Sequence, residues 1–352
     1  GCARPQIMML LKSVRQPCAA AWRSLRGLRR RAGFRLAPPP VILCYHRVFE
    51  PETDPHLLSV RPERFRQHLE VIKRVAQPLS LDQLMDAIER RKLPRRGVVI
   101  TFDDGYLDNL ENARPILRAA GVPATIYVAT GYVGTEREFW WDDLARLTLG
   151  AARLPEVLRL EINGQTRTWN LGRLSAHDSN WNVLAIGERT ARQNLFCELH
   201  GALLPLTEPE QQPVLQQLRE LTDTPVQARP HYRCMTEAEL RILAADPLIT
   251  LGAHTVTHCD LACRDPAEQR AEISGSQRQL EAFIGQTGVH FSYPYGSFNE
   301  ATLDICRDFR SGVTCEAAPI ARRAPRHRLP RFLVRDWDGP EFERHLTSWF
   351  RG

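Results

Sequence analysis

Apolar residues fall into two rhythms along the chain, short unbroken runs and stretches spaced by three and four. The runs at 41–48 (VILCYHRV), 97–104 (GVVITFDD) and 124–130 (ATIYVAT) predict buried strands. Between them, Phe65, Leu69, Ile72 and Val75 share one stripe of a predicted helix over 62–75. Ser80, with Gln83 three residues on, predicts a capping box that opens a second helix. Residues 107–120 predict a third, ended by Gly121. The alternation stops near 135 and resumes after 233. Thr236, with Glu239 at the capping-box position, opens a helix through 245. A strand at 248–254, a helix at 266–284, a strand at 289–293 and a helix at 301–309 follow. Short strands at 312–315 and 331–335 complete the pattern. Repeated strand–helix units imply parallel strands, closed as a barrel or left open, with the chemistry at the C-terminal strand ends.

The interruption at about 135–233 has a different character. Two alternating segments, 157–162 and 165–171, flank Asn163-Gly164, a strong hairpin signal, and helices are expected near 189–205 and 209–222. This reads as an insertion on one strand-to-helix loop, placed to cover the rim; a stability or assembly element has the same signature. At the other end, residues 1–40 form a separate arm that closes on Pro38-Pro39-Pro40. Leu11, Val14, Cys18, Trp22, Leu25 and Leu28 lie along one helical stripe of it. Two readings stand for the arm, a basic amphipathic helix on an anionic membrane surface and a disordered leader.

Charge changes meaning once it is located. The 352 residues carry 47 Lys+Arg against 41 Asp+Glu, a net charge of +6, but residues 1–40 hold nine of the basic residues and residues 1–49 hold no Asp or Glu. Without the arm, 38 basic residues face 41 acidic ones, so a general nucleic-acid surface is not indicated. No run of about twenty apolar residues predicts a membrane span. Nine cysteines, scattered and odd in number, favour a reducing, cytoplasmic compartment; of the two readings of the arm, the amphipathic one would add a peripheral contact on the inner membrane face.

Three segments carry candidate chemistry. Thr101-Phe102-Asp103-Asp104-Gly105 sets two carboxylates side by side where an apolar strand ends. Adjacent strand residues face opposite ways, so one can bind a cation while the other stands beside it only if the chain turns there. His254-Thr255-Val256-Thr257-His258 puts two imidazoles four apart after another strand. With a carboxylate from a second strand, two His leave coordination positions open, the composition of a catalytic metal site. A rival reading joins Cys259 and Cys263 to His254 or His258 as structural zinc ligands and leaves the Asp pair unexplained. The third segment, Ser292-Tyr293-Pro294-Tyr295-Gly296, fixes an aromatic residue in a turn at a strand end.

Taken in order, Asp103-Asp104-Gly105, His254-Thr-Val-Thr-His258 and Tyr293-Pro294-Tyr295-Gly296 resemble the polysaccharide deacetylase (NodB-like) family, carbohydrate esterase family 4. The resemblance implies a distorted (β/α) barrel over 41–352, with the mixed hairpin and helical insertion at about 135–233. It implies hydrolytic removal of an N-acetyl or other acyl group from an amino-sugar polysaccharide or lipid-linked saccharide, through metal-activated water. On that basis Asp103 is the general base, and Asp104, His254 and His258 hold a divalent ion, Zn2+ foremost among the transition metals. Tyr295 offers its backbone N–H to the developing oxyanion. Two departures stand out. Ser292 occupies the position where the family often has an Arg that braces the catalytic Asp, and Arg331, on a late strand, is the candidate substitute. No late Leu-x-His segment supplies a general acid; His327 and His345 are the candidates.

Softer candidates for substrate contact are Tyr45 and His46 at the end of the first strand, Trp140, Trp141 and Asp142 at the start of the insertion, and Pro294 and Arg331. The Trp pair has an alternative role as an anchor between insertion and barrel, and Asp336-Trp337 either borders the site or closes the fold. Two rival functions remain open from sequence: a non-catalytic carbohydrate-binding protein on the same barrel, and a deformylase or amidohydrolase acting on a different amide.

Overall fold

The structure, a computed structural model, describes residues 38–173, 181–286 and 290–351, so the arm predicted over 1–40 lies almost entirely outside the described residues. Its strands are β1 (Val41–Tyr45), β2 (Arg47–Val48), β3 (Ser59–Val60), β4 (Gln77–Leu79), β5 (Gly97–Phe102), β6 (Ala124–Val128), β7 (Val157–Ile162), β8 (Gln165–Asn170), β9 (Ile249–Ala253), β10 (His290–Ser292), β11 (Ser311–Val313) and β12 (Phe332–Leu333). The helices are α1 (Pro62–Val75), α2 (Leu81–Glu89), α3 (Arg114–Ala120), α4 (Trp140–Thr148), α5 (Ala191–Leu203), α6 (Glu208–Thr222), α7 (Glu237–Ala244), α8 (Pro266–Ile284), α9 (Glu300–Ile305) and α10 (Gly339–Trp349).

Eight strands form one parallel sheet in the order β11-β10-β9-β6-β5-β1-β12, and β4 pairs the lower half of β5. Strands β1, β5 and β6 are buried at every position, the burial expected of a parallel sheet covered on both faces. The sheet curls until its edges meet. Residues 329–334 bridge them: Val313 pairs with Leu329 and Arg331 N donates to Glu316 O at 3.0 Å on one side, while Phe332 and Leu333 pair with Leu43 and Cys44 on the other. That closure gives the distorted (β/α) barrel.

Local chemistry sets most boundaries. Ser80 and Thr236 both form complete capping boxes, and Gly121 ends α3 at φ +66. The single helix expected over 107–120 instead begins as a π-helical turn, Asn109–Ala113. Pro115, at the start of α3, has no N–H to donate and crowds the preceding turn, which opens the early helix.

The insertion is the predicted hairpin, β7 against β8 around Asn163 and Gly164 at positive φ, packed with α4, α5 and α6. Its buried Leu158, Leu160, Phe196, Leu199 and Leu215 share one apolar cluster with the barrel. At the far end, Asp336 closes the fold rather than the rim, accepting from Arg61 N at 2.9 Å and Arg61 Nε at 2.7 Å. Trp337 stacks on His345 with ring centroids 3.9 Å apart. No described helix is long and apolar enough to cross a membrane.

Candidate active site

Four candidate segments follow the C-terminal ends of barrel strands: His46 after β1, Asp103 and Asp104 after β5, His254 after β9 and Tyr293 after β10. At the end of β5 the chain turns within three residues, with Gly105 N donating to Asp103 O at 3.0 Å across Asp104, whose φ is +77. This is a γ-turn, a strained arrangement that swings neighbouring carboxylates to different places around one centre. Gly105 follows at φ +83, where a Cβ would press Val128 Cγ1 at 3.2 Å.

Asp104, His254 and His258 are all buried, and one ligand atom from each lies within 4.8 Å of the others. His254 Nε2 is 3.5 Å and His258 Nε2 3.2 Å from Asp104 Oδ1. Two ligands bound about 2.0–2.1 Å from one tetrahedral ion sit roughly 3.3 Å apart. His254 Nδ1 lies 2.8 Å from Ser292 O, and a carbonyl only accepts, so that nitrogen carries the proton. In the neutral ring Nε2 then turns a lone pair toward a carboxylate oxygen that is itself buried with no aligned donor. Two acceptors facing each other in a dry site call for a cation between them. The donor set therefore fits a divalent ion, and it fits without Cys259 or Cys263, of which Cys263 is exposed.

Asp103 has a different environment. Arg331 binds it with both ends of the guanidinium, Nη1 to Oδ1 at 2.7 Å and Nη2 to Oδ2 at 2.6 Å. Ser292 Oγ donates to Asp103 Oδ2 at 3.2 Å and accepts from Arg331 Nη2 at 3.0 Å. Arg331 is itself pinned by Thr314 O at 3.1 Å and Thr101 Oγ1 at 3.0 Å. Burial alone would raise the Asp103 carboxyl, but the charge of Arg331 and its hydrogen bonds to the carboxylate oppose it most strongly, and the group is held at about 2. The carboxylate thus stays ionised across the physiological range. Arg331, 1% exposed, is its counter-ion and not a sugar contact.

The remaining candidates separate by strand parity. Cys44 Sγ approaches Asp103 Oδ2 at 3.7 Å, so Tyr45 points the opposite way, into the layer between sheet and α1. There it is 1% exposed, with its hydroxyl 3.2 Å from His68 Nδ1, and cannot touch substrate. His46 returns to the site face, half-buried, with a ring nitrogen within 4.8 Å of both Cys44 Sγ and an Asp103 oxygen. That trio is no second cation site, because Arg331 already occupies both Asp103 oxygens.

Trp140 and Trp141 are buried and not open stacking platforms. Trp141 packs on His258 at 4.6 Å between centroids, and Trp140 Nε1 donates to Tyr295 Oη at 3.2 Å. Tyr295, at φ +57 in the turn begun by buried Pro294, sets its ring 4.7 Å from that of His258. Trp141 Nε1 donates to Tyr106 Oη at 2.9 Å, which in turn donates to Asp142 Oδ2 at 2.6 Å. Burial pushes the Asp142 carboxyl up to about 7, against the opposing charge of Arg47. The insertion thus walls the His258 side of the rim. His327 Nε2 is 2.8 Å from Phe309 O and His345 stacks on Trp337, so both are engaged elsewhere. Sequence reasoning did not single out the Ser292 carbonyl, Thr101 or Cys44 as site groups.

A family model described as polysaccharide deacetylase matches residues 90–170 and 221–311. The poly-beta-1,6-N-acetyl-D-glucosamine N-deacetylase of Staphylococcus aureus is 37% identical over 139 residues, 39% of this chain and 46% of that protein. The Escherichia coli protein of the same name is 33% identical over 97 residues, 27% of this chain and 14% of its own length. The chain thus spans less than half of these relatives. Among solved structures, IcaB from Ammonifex degensii superposes with a TM-score of 0.55 at 16% identity, covering 90% of this chain and 98% of that one. The Streptococcus pyogenes deacetylase PplD gives 0.50 at 20% identity, covering 89% and 98%. Both likenesses concern the fold. With its barrel, its Asp-Asp and His-x-x-x-His segments and the matched family model, the chain belongs to the polysaccharide deacetylase family.

Proposed function

We propose that this protein is a metal-dependent hydrolase that removes N-acetyl groups from an amino-sugar polysaccharide. One observation carries the reading: two imidazole nitrogens converge on a buried, donor-free carboxylate oxygen of Asp104, directly beside a second carboxylate kept ionised by Arg331. The names of the curated relatives support the substrate class. Asp104, His254 and His258 would hold the ion, a donor set suited to Zn2+ and open to other divalent transition metals. Such an ion supplies Lewis acidity, activating water and polarising the acyl carbonyl.

The protein's own groups do the rest. Asp103 accepts the proton of the attacking water, oriented by Arg331 and Ser292. The Tyr295 backbone N–H donates to the oxygen on which negative charge develops, and one such donor is typically worth about 3–4 kcal/mol. His46 stands beside Asp103 and protonates the leaving amine, since His327 and His345 are bonded away from the site.

Metal analysis of the wild type and of His254→Ala, paired with acetate release from N-acetylglucosamine oligomers, tests the core of this. Expected is about one divalent ion per wild-type chain, lost with activity in the variant. Full acetate release after complete chelation would overturn the reading, and formate in place of acetate from acyl-sugar panels would move it to a deformylase. For the proton donor, His46→Asn should lower amide hydrolysis by about 10²-fold or more while sparing an activated aryl acetate, whose leaving group needs no proton. Equal losses on both substrates would remove His46 from that role.

A further inference from the structure

The loop that carries the ligand pair is under backbone strain. Thr255 has φ +62 and His258 φ +56, left-handed values that are strained for a β-branched or bulky residue. Something outside the loop must hold it there. From one side the turn after β6 takes its carbonyls: Thr130 N donates to Thr255 O at 3.1 Å and Gly131 N to Val256 O at 2.8 Å. That approach is so close that a Cβ on Gly131 would meet Val256 O at 2.7 Å.

From the other side comes one side chain. Glu272, on α8, accepts from Val256 N at 2.9 Å and Thr257 N at 2.8 Å with Oε2, and from Thr257 Oγ1 at 2.8 Å with Oε1. These are all three donors of the two residues midway between the imidazoles. The side chain is half-buried and bonds to Val256 and Thr257, not to an imidazole of His254 or His258, so it acts through the loop.

We infer that Glu272 is a positioning residue for the metal centre: its carboxylate clamps the loop in the strained form that points both Nε2 atoms at Asp104. The inference rests on the metal reading given above. Without the clamp, Val256 and Thr257 amides turn to water, Thr255 and His258 relax toward negative φ, and the His258 ring leaves the Asp104 oxygen. Loss of a group that orients ligands typically weakens metal binding 10–100-fold.

The test uses the full chain, Zn2+ titrated against a chromophoric chelator, and thermal unfolding with and without the ion. Expected for Glu272→Ala is about tenfold to hundredfold weaker Zn2+ binding and a smaller metal-induced rise in Tm, with little change in the metal-free Tm. Glu272→Gln should bind within a few-fold of wild type, because its oxygen accepts both amides and its NH2 group can donate to the Thr257 hydroxyl. Glu272→Met, which keeps the side-chain volume, repeats the loss should the Ala variant fold poorly. Wild-type affinity in both Ala and Met variants, or a lowered metal-free Tm with unchanged Zn2+ affinity, overturns the inference and leaves the metal site standing. A wild-type chain that binds no Zn2+, or binds it as tightly after His254→Ala, overturns the site and the clamp together.

Discussion

Asp103→Asn is expected to cut acetate release by about 10²–10⁴-fold while the protein keeps its bound ion. The two carboxylates are neighbours in sequence but not in task. The γ-turn at Asp104 aims one at His254 and His258, and leaves the other against Arg331. Asparagine at 103 retains the shape and abolishes proton acceptance, so metal content should hold as turnover falls. Loss of the ion along with activity would mean that Asp103 is a ligand. Near-normal turnover would mean that another group takes the proton. The variant also leaves the Arg331 charge without its partner, so thermal stability should fall with turnover, and activity must be read at a temperature where the variant is folded.

Arg331→Met is expected to be as damaging, by a different route. Both members of the pair are almost fully buried, and removing one partner of such a pair commonly costs about 3–5 kcal/mol, because the other charge remains in a dry site. The sign of the accompanying pH effect follows from what holds Asp103 at about 2. Burial acts to raise its carboxyl and the Arg331 charge is the largest influence opposing it. With the guanidinium gone, burial prevails and the carboxyl pKa climbs. Activity should then gain an acid limb, falling as pH drops through the new value, where the wild type still has an ionised base. The pair's contribution to wild-type stability is present above the unfolded carboxyl value and is lost only as pH falls through about 2. The double variant Asp103→Asn/Arg331→Met should be more stable than the sum of the two losses implies, since each single change strands the other residue. Denaturant midpoints for the four proteins give this coupling directly. Simple additivity would deny the pair any energetic role.

Much of this was legible along the chain because it is locally encoded. The capping boxes at Ser80 and Thr236, the Asn163-Gly164 hairpin and the strand-ending Asp103-Asp104-Gly105 each carry their instruction within a few residues. The π-helical turn before Arg114 was also written locally, in Pro115, but a helical stripe of apolar residues hides it. Strand parity was equally available. Cys44 and His46 on the site face require Tyr45 to face away, yet a rim position suggested contact for both Tyr45 and His46.

The long-range partners had no local signal. Arg331 meets Asp103 only because the sheet curls shut, and Ser292, which looked like the loss of a brace, serves both centres with its hydroxyl and its carbonyl. Of the two roles open to Trp140 and Trp141, stacking on sugar or anchoring the insertion to the barrel, their burial against His258 and Tyr295 fits the anchor. Their cover comes from the Tyr295 turn and from α5, whose His200 ring lies 4.9 Å from that of Trp140. Glu272 reads in sequence as one more acid on an exposed helix, and only the strained loop beside it gives it a purpose.

Closure by residues 329–334 carries a consequence for how the molecule comes into being. A chain emerging from the ribosome completes β5, β9 and β10, with Asp104, His254 and His258, well before Arg331 is made. Until that last staple threads between β11 and β1, the Asp103 carboxylate lacks its Arg331 counter-charge, and burying it is unfavourable. On the proposed mechanism, activity should therefore arrive late and all at once, with the shutting of the barrel, because the three side chains proposed to hold the ion come together before Asp103 gains its counter-charge.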